Sequence, residues 1–138
     1  MKGTYILLID LKKNKTIKIG KLGNKYFKKG NYAYIGSALN GLEQRINRHK
    51  RKEKKFHWHI DYLLKHAEIN EVFYKKNTKK EECFLSKKLE KNFDYIIGFG
   101  CSDCKCKSHL YYGEYEKLRK NVKELLPFCF NKCNKNNC

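Results

Sequence analysis

Residues 34–49 read YIGSALNGLEQRINRH, and 29 positions before Tyr34 stands Tyr5, at the end of GTY at 3–5. The stretch changes period as it runs. NYAYIGSAL at 31–39 is rich in β-branched and aromatic residues and reads as a strand. From Leu39 onward, Leu39, Leu42 and Ile46 recur at helical spacing. On a helical wheel these three form the buried stripe, while Arg45, His49 and Lys52 fall along one shoulder of it. A strand that ends in Tyr34, turns at Gly36 and enters this helix brings its phenol to that shoulder. Tyr5, on a strand placed to pair with the second, presents its ring to the same place. The expected result is two phenols, a guanidinium and an imidazole around one pocket.

TYILLIDL at 4–11 reads as that first strand, and IKIGKLGNKYFKKG at 17–30 carries Gly20, Gly23 and Gly30 between short strands, so the first third reads as a β-meander. Further along, HWHIDYLLKHA at 57–67 reads as a helix and INEVFYKK at 69–76 as a strand. KKEECFLSKKLEK at 79–91 is another helix, FDYIIGFG at 93–100 another strand, and EYEKLRKNVKELL at 114–126 a closing helix ended by Pro127. Strands and helices that do not alternate strictly predict an α+β fold, a small mixed or antiparallel sheet flanked by helices. A single domain is expected over 1–128, with 129–138 a loose tail rich in Cys, Asn and Lys.

The 138 residues carry 32 Lys and Arg against 14 Asp and Glu, a formal charge of +18, which concentrates polyanions and makes their binding salt-dependent. Nucleic acid is the expected partner. A Lys- and Asn-rich composition also suits a low-GC genome or thermal adaptation, but neither explains ten Tyr and eight Phe, rings able to stack on exposed bases. No run approaches the roughly 18 apolar residues of a membrane span, and the start does not read as a signal peptide. Seven cysteines without a secretory signal point to a reducing cytoplasm, metal ligation or buried thiols.

Phenol, guanidinium and imidazole suit phosphodiester hydrolysis: a tyrosine beside cations can have its pKa lowered enough to take a proton from water, and Arg grips phosphate oxygens. The set lacks a metal-binding carboxylate, which TKKEECFLSKKL at 78–89 supplies. Thr78 and Glu81 form an S/T-x-x-E capping box, giving Glu81 a structural task. Glu82 instead lies in line with Leu85 and Leu89, so its carboxylate rests on an apolar stripe where a charge requires a partner. That partner is either a hard divalent cation such as Mg²⁺ or a neighbouring Lys or Arg.

With GTY at 3–5, YIG at 34–36, Arg45, His49 and Glu82 in this order, the chain resembles the GIY-YIG nuclease superfamily. The resemblance implies Tyr34 as general base or proton relay, Tyr5 as its hydrogen-bonding support, Arg45 as phosphate clamp, His49 one turn later, and Glu82 as ligand for Mg²⁺ or Mn²⁺. More closely, KLGNKYFKKGNYAYIGSALNGLEQRINRH, KKFHWHIDYLL and GFGCSDCKCKSHL resemble the archaeal Uri-type branch, also found fused to endonuclease III-like repair glycosylases. Two departures stand out. The interval from Tyr5 to Tyr34 is far longer than is usual in the superfamily, and Ser37 stands where some relatives carry Lys or another polar residue.

Two further clusters carry chemistry. CSDCKCKSH packs Cys101, Cys104, Cys106 and His109 into nine residues, the ligand types of a Cys3His zinc site; a buried thiol cluster and redox chemistry are the other readings, and Cys83 can substitute for one ligand. His57 and Asp61, one turn apart, can share a proton or a metal, or simply be the polar end of an amphipathic helix; the same stretch, with His59, can also face DNA or shape the pocket. The charge run RHKRKEKK at 48–55 reads as a solvated basic face that touches phosphates. Three functions follow: a metal-dependent endonuclease acting on DNA, with DNA repair as its expected setting; a non-catalytic nucleic-acid-binding module; and a zinc-stabilised basic protein associated with RNA. A domain this small can form a homodimer to cut both strands.

Overall fold

The computed structural model describes residues 2–38, 41–76, 79, 81–101 and 104–130. It is an α+β fold, as expected. Six strands form one antiparallel sheet in the order β6-β7-β4-β1-β5-β8. At its centre lie β1 (Gly3–Leu11) and β4 (Gly30–Ala38), flanked by β5 (Glu68–Lys76) and β7 (Leu110–Gly113). The edges are β6 (Asp94–Tyr95) and β8 (Phe128–Phe130).

β1 is buried on both faces, and its alternation divides the core in two. Tyr5, Leu7, Ile9 and Leu11 point to a cluster with Tyr34, Leu42, Ile46 and Ile60. Ile6 and Leu8 point to the other, with Ile35, Phe73, Leu85, Leu89, Leu118 and Val122. The first face is covered by helices α1 (Leu42–Lys50) and α2 (His59–Leu64), the second by α3 (Glu82–Glu90) and α4 (Tyr115–Leu125).

Antiparallel pairing gathers the signature residues at one end of β1. Gly3 faces Ala38 on β4 and Lys76 on β5, so both neighbours finish beside Gly3–Tyr5 and deliver α1 and α3 there.

Several expectations change. The residues between β1 and β4 do not extend the sheet as a meander: among the described residues β2 (Lys15–Lys18) and β3 (Asn24–Phe27) pair only with each other, and they lie over the first face, where Ile17, Ile19 and Phe27 are buried. FDYIIGFG keeps only the two-residue β6, because Gly98 and Gly100 take positive φ and turn the chain. The expected tail begins as a strand, since Cys129 and Phe130 pair with Phe73 and Val72. α2 starts at His59 rather than at 57, where the Asp61 carboxylate caps it, as described below. Leu39, Thr78, Cys133 and Cys138 lie outside the described residues. Glu81, the expected capping-box partner of Thr78, is the N-cap of α3 and pairs with Lys75 at 3.3 Å.

Candidate active site

Tyr5 faces Gly36 across the β1–β4 pair, and a Cβ at Gly36 would overlap Cζ and the hydroxyl of the Tyr5 ring. The glycine of YIG therefore lets the phenol lie flat on the neighbouring strand. From there it reaches α1: its hydroxyl is 2.6 Å from His49 Nε2, with ring centroids 5.5 Å apart. The Arg45 guanidinium is near enough for its charge to act on the Tyr5 phenol, pulling its pKa down. In the Tyr5–His49 bond, which of the two donates is set by the His49 tautomer, since a phenol and a neutral imidazole can each do either. Tyr34 lies on the same face with its ring 6.3 Å from that of His49. The structure thus brings Tyr5, Tyr34, Arg45 and His49 together on one face of the sheet, with both phenols and the imidazole buried.

Burial sets their charge states. It raises the Tyr5 phenol above its ordinary value against the opposing pull of Arg45. It raises Tyr34 likewise, and Tyr5 adds to the effect. This corrects the expectation that nearby cations depress a phenol: desolvation outweighs the guanidinium. Burial also lowers His49 to about 3, so the imidazole is neutral, and its Nδ1 has no hydrogen-bond partner among the described residues.

Glu82 is half-buried at the first turn of α3, in line with buried Leu85 and Leu89 as the spacing predicts. Its charge acts on both phenols, raising Tyr5 and Tyr34. As a hard oxygen donor whose charge reaches both phenols, it is of the type that holds a divalent cation through one carboxylate, with water and substrate oxygens completing the shell. When bound, such a cation supplies positive charge for a phosphate and an acidified water.

A support that the sequence reading did not assemble lies behind Arg45. Its guanidinium donates to the Ser37 carbonyl at 2.9 Å and lies 4.3 Å from the centre of the Trp58 ring. Arg48 lies 4.5 Å from the same ring and grips Asp61 through both carboxylate oxygens, at 2.8 and 3.0 Å. Asp61 is fully buried, and its Oδ2 also accepts the backbone N–H groups of His57 and Trp58. Burial works to raise this carboxyl, but the Arg48 and backbone hydrogen bonds outweigh it and hold it below its usual range. Asp61 is therefore committed to Arg48 and to starting α2, and the His57 ring packs against Trp58 at 4.7 Å instead of sharing a proton or metal with it. The only signal in the sequence was Asp61 three positions after Trp58, a capping spacing.

The charge run after α1 is also less solvated than expected. Lys54 donates to the carbonyls of Arg48, His49 and Arg51, closing the helix, and Lys52 donates to those of Leu64 and Ala67.

The cysteine loop converges on α3. Cys83, Cys104, Cys106 and His109 bring one ligand atom each within 4.8 Å of one another. The Sγ atoms of Cys83 and Cys104 lie 3.9 and 3.6 Å from His109 Nε2. Cys101 is not in this group: its thiol faces the Phe99 carbonyl at 3.5 Å, so Cys83 takes the place expected for it. Three thiols and an imidazole at these separations can bind a metal ion. On the far side, His59 Nδ1 accepts the Gly100 N–H at 2.8 Å and ties α2 to the same loop.

A sequence profile of the family described as a domain of unknown function, DUF123, matches residues 4–130. The chain belongs to the DUF123 family. The match runs from β1 to β8, so the DUF123 region holds both the phenol site and the Cys3His cluster. No curated protein and no solved structure matches the chain. Among the described residues no helix is long and apolar enough to cross a membrane.

Proposed function

We propose that this chain is a GIY-YIG-type endonuclease of the Uri-type branch that hydrolyses DNA phosphodiester bonds with Mg²⁺ or Mn²⁺, in DNA repair. The observation that carries the reading is the 2.6 Å Tyr5–His49 hydrogen bond, with the Tyr34 ring 6.3 Å from the same imidazole and the charges of Arg45 and Glu82 acting on both phenols. Phosphoryl chemistry needs these parts: a cation site, a fork for phosphate oxygens and a relay for protons. Arg45 is held by Ser37 and Trp58 ready for a phosphate. Tyr34 and Tyr5 orient and relay protons, with neutral His49 hydrogen-bonded to the Tyr5 hydroxyl.

The test is cleavage of flapped, nicked, abasic and single-stranded DNA with Mn²⁺ by wild type, Glu82→Gln and Tyr34→Phe. Loss of a wild-type activity in both variants, with folding intact, supports the reading; activity that persists in both overturns it. The second reading, a nucleic-acid-binding module, draws on the raised Tyr34 phenol, a poor base in this state. It predicts salt-sensitive binding that survives Glu82→Gln and no product from any substrate.

For the Cys3His cluster we propose zinc. Thiolates around a tetrahedral zinc ion stand about 3.8 Å apart at bond lengths of about 2.3 Å, so the four ligands close on it with small shifts. One zinc per chain by elemental analysis of protein purified without added metal is expected; absence of zinc, with all four ligands reduced, overturns the assignment.

A further inference from the structure

The long interval between Tyr5 and Tyr34 folds into the β2–β3 ribbon, and with α2 that ribbon encloses an open groove of about 1500 Å³. Lys15, Lys18 and Lys21 line one wall and Lys65 and His66 the other. None of the described residues lining it is acidic. Lys15 and Lys65 both act, after burial, to push the His66 imidazole down, which shows how closely the two walls bring positive charge together. Like charges held across a groove are costly unless an anion enters, and a row of them matches a chain of phosphates.

The groove also contains rings. Phe56 and Tyr62 line it half-buried, with centroids 4.9 Å apart at 72°. Tyr62 packs under Gly20, where the positive φ of the ribbon's turn and a missing Cβ admit the ring. Exposed ring surface among lysines is what unpaired bases stack on, whereas a duplex hides its base faces. At its other end the groove is bounded by His59, Gly98 and Cys101. Phe99, between these last two, packs 6.1 Å from the Tyr34 ring, so the groove stops one aromatic ring short of the candidate active site.

We infer that the β2–β3 ribbon and α2 form a track for a single nucleic-acid strand, leading it to the Tyr34–Arg45 site. The inference rests on nucleic acid being the partner and not on cleavage. Lysines hold the phosphates, and Phe56 and Tyr62 offer the stacking surface. The expanded segment between the signature strands is then a substrate-handling element.

The test is fluorescence anisotropy with a labelled 20-nucleotide oligo(dT) and a 20-base-pair duplex across a salt series, in a Glu82→Gln background. The groove variant is Lys18→Gln, Lys21→Gln and Lys65→Gln; the control removes equal charge from the opposite face by Lys117→Gln, Lys120→Gln and Lys123→Gln. All six side chains are exposed, so folding is expected to be intact, and it is checked by circular dichroism. The groove variant is expected to bind oligo(dT) at least tenfold more weakly, with a salt slope reduced by about 2 for three lost phosphate contacts. The duplex should lose less than threefold, and the control should stay within twofold for both. Oligo(dT) affinity within twofold of the parent overturns the inference, as does an equal loss for duplex or in the control. A chain that binds oligo(dT) through the groove but cuts nothing sinks the nuclease reading alone.

Discussion

The Tyr5 hydroxyl and His49 Nε2 are 2.6 Å apart although the residues are separated by 44 positions. The bond fastens the first strand to the first helix inside the core, where Tyr5 is 1% and His49 2% exposed. Tyr5→Phe removes the hydroxyl partner of His49 Nε2 while keeping the ring. Leaving a buried imidazole unpaired costs about 1–3 kcal/mol. Urea denaturation should show that loss, whereas Tyr26→Phe at an exposed position should stay within about 0.5 kcal/mol. A Tyr5→Phe chain as stable as wild type would show that the bond contributes nothing.

The neutral state of His49 makes stability pH-dependent. Its folded pKa, about 3, lies below the ordinary value of 6.5, so the unfolded chain binds the proton more readily. Stability is fully present above about pH 6.5 and is lost as pH falls toward 3, at up to about 1.4 kcal/mol per unit for this one group. Asp61 acts lower: its depressed pKa contributes stability that is lost only below its usual value of about 3.8. Denaturation between pH 7 and 4 should therefore give a steep slope in wild type and a shallower one in His49→Phe. Burial of His59, also lowered, leaves the variant a residual slope. Equal slopes would mean that His49 is protonated in the folded chain.

Arg48 and Asp61 form the second buried fastening. Arg48→Met strands a carboxylate that is fully buried, with two backbone N–H groups left as its hydrogen-bond donors among the described residues. Removing one partner of a buried ion pair costs about 3–5 kcal/mol. The melting temperature should fall accordingly, and Arg45, which shares the Trp58 ring, should lose its support. Arg48→Met with Asp61→Asn should recover part of the stability. A single variant as stable as the double would refute the pairing.

Much of the phenol site was legible because it depends on local pattern: the change of period after the YIG strand, the Arg45–His49 spacing, and Glu82 in line with Leu85 and Leu89. The antiparallel sheet then needed only to bring three chain segments to one end of β1. The sign of the phenol shift was not legible, since it depends on how deeply Tyr34 is buried under Phe99, His49 and α1. Nor was the Trp58 ring between Arg45 and Arg48, which involves residues from two helices with no shared motif. The β2–β3 ribbon reads as strands locally, but no alternation along it tells whether it joins the main sheet or lies across its face.

The cysteine loop gives the sharpest test of sequence against structure. Spacing offers Cys101, Cys104, Cys106 and His109 from one nine-residue loop, with Cys83 able to substitute for one of them, but does not say which. The fold brings Cys83 from α3, and turns Cys101 toward the Phe99 carbonyl. Burial raises the Cys83 and Cys106 thiols, so without a cation both stay protonated. Cys101→Ser should therefore retain one zinc per chain, and Cys83→Ser should lose it or bind it far more weakly. Since metal binding and folding are linked, a strong chelator should lower the melting temperature of wild type and Cys101→Ser while leaving Cys83→Ser unmoved. Cys83 sits next to Glu82, so the zinc-depleted chain should also bind Mn²⁺ more weakly, which titration calorimetry reads without any nuclease assay. Zinc retained in Cys83→Ser and lost in Cys101→Ser would return the site to the loop alone.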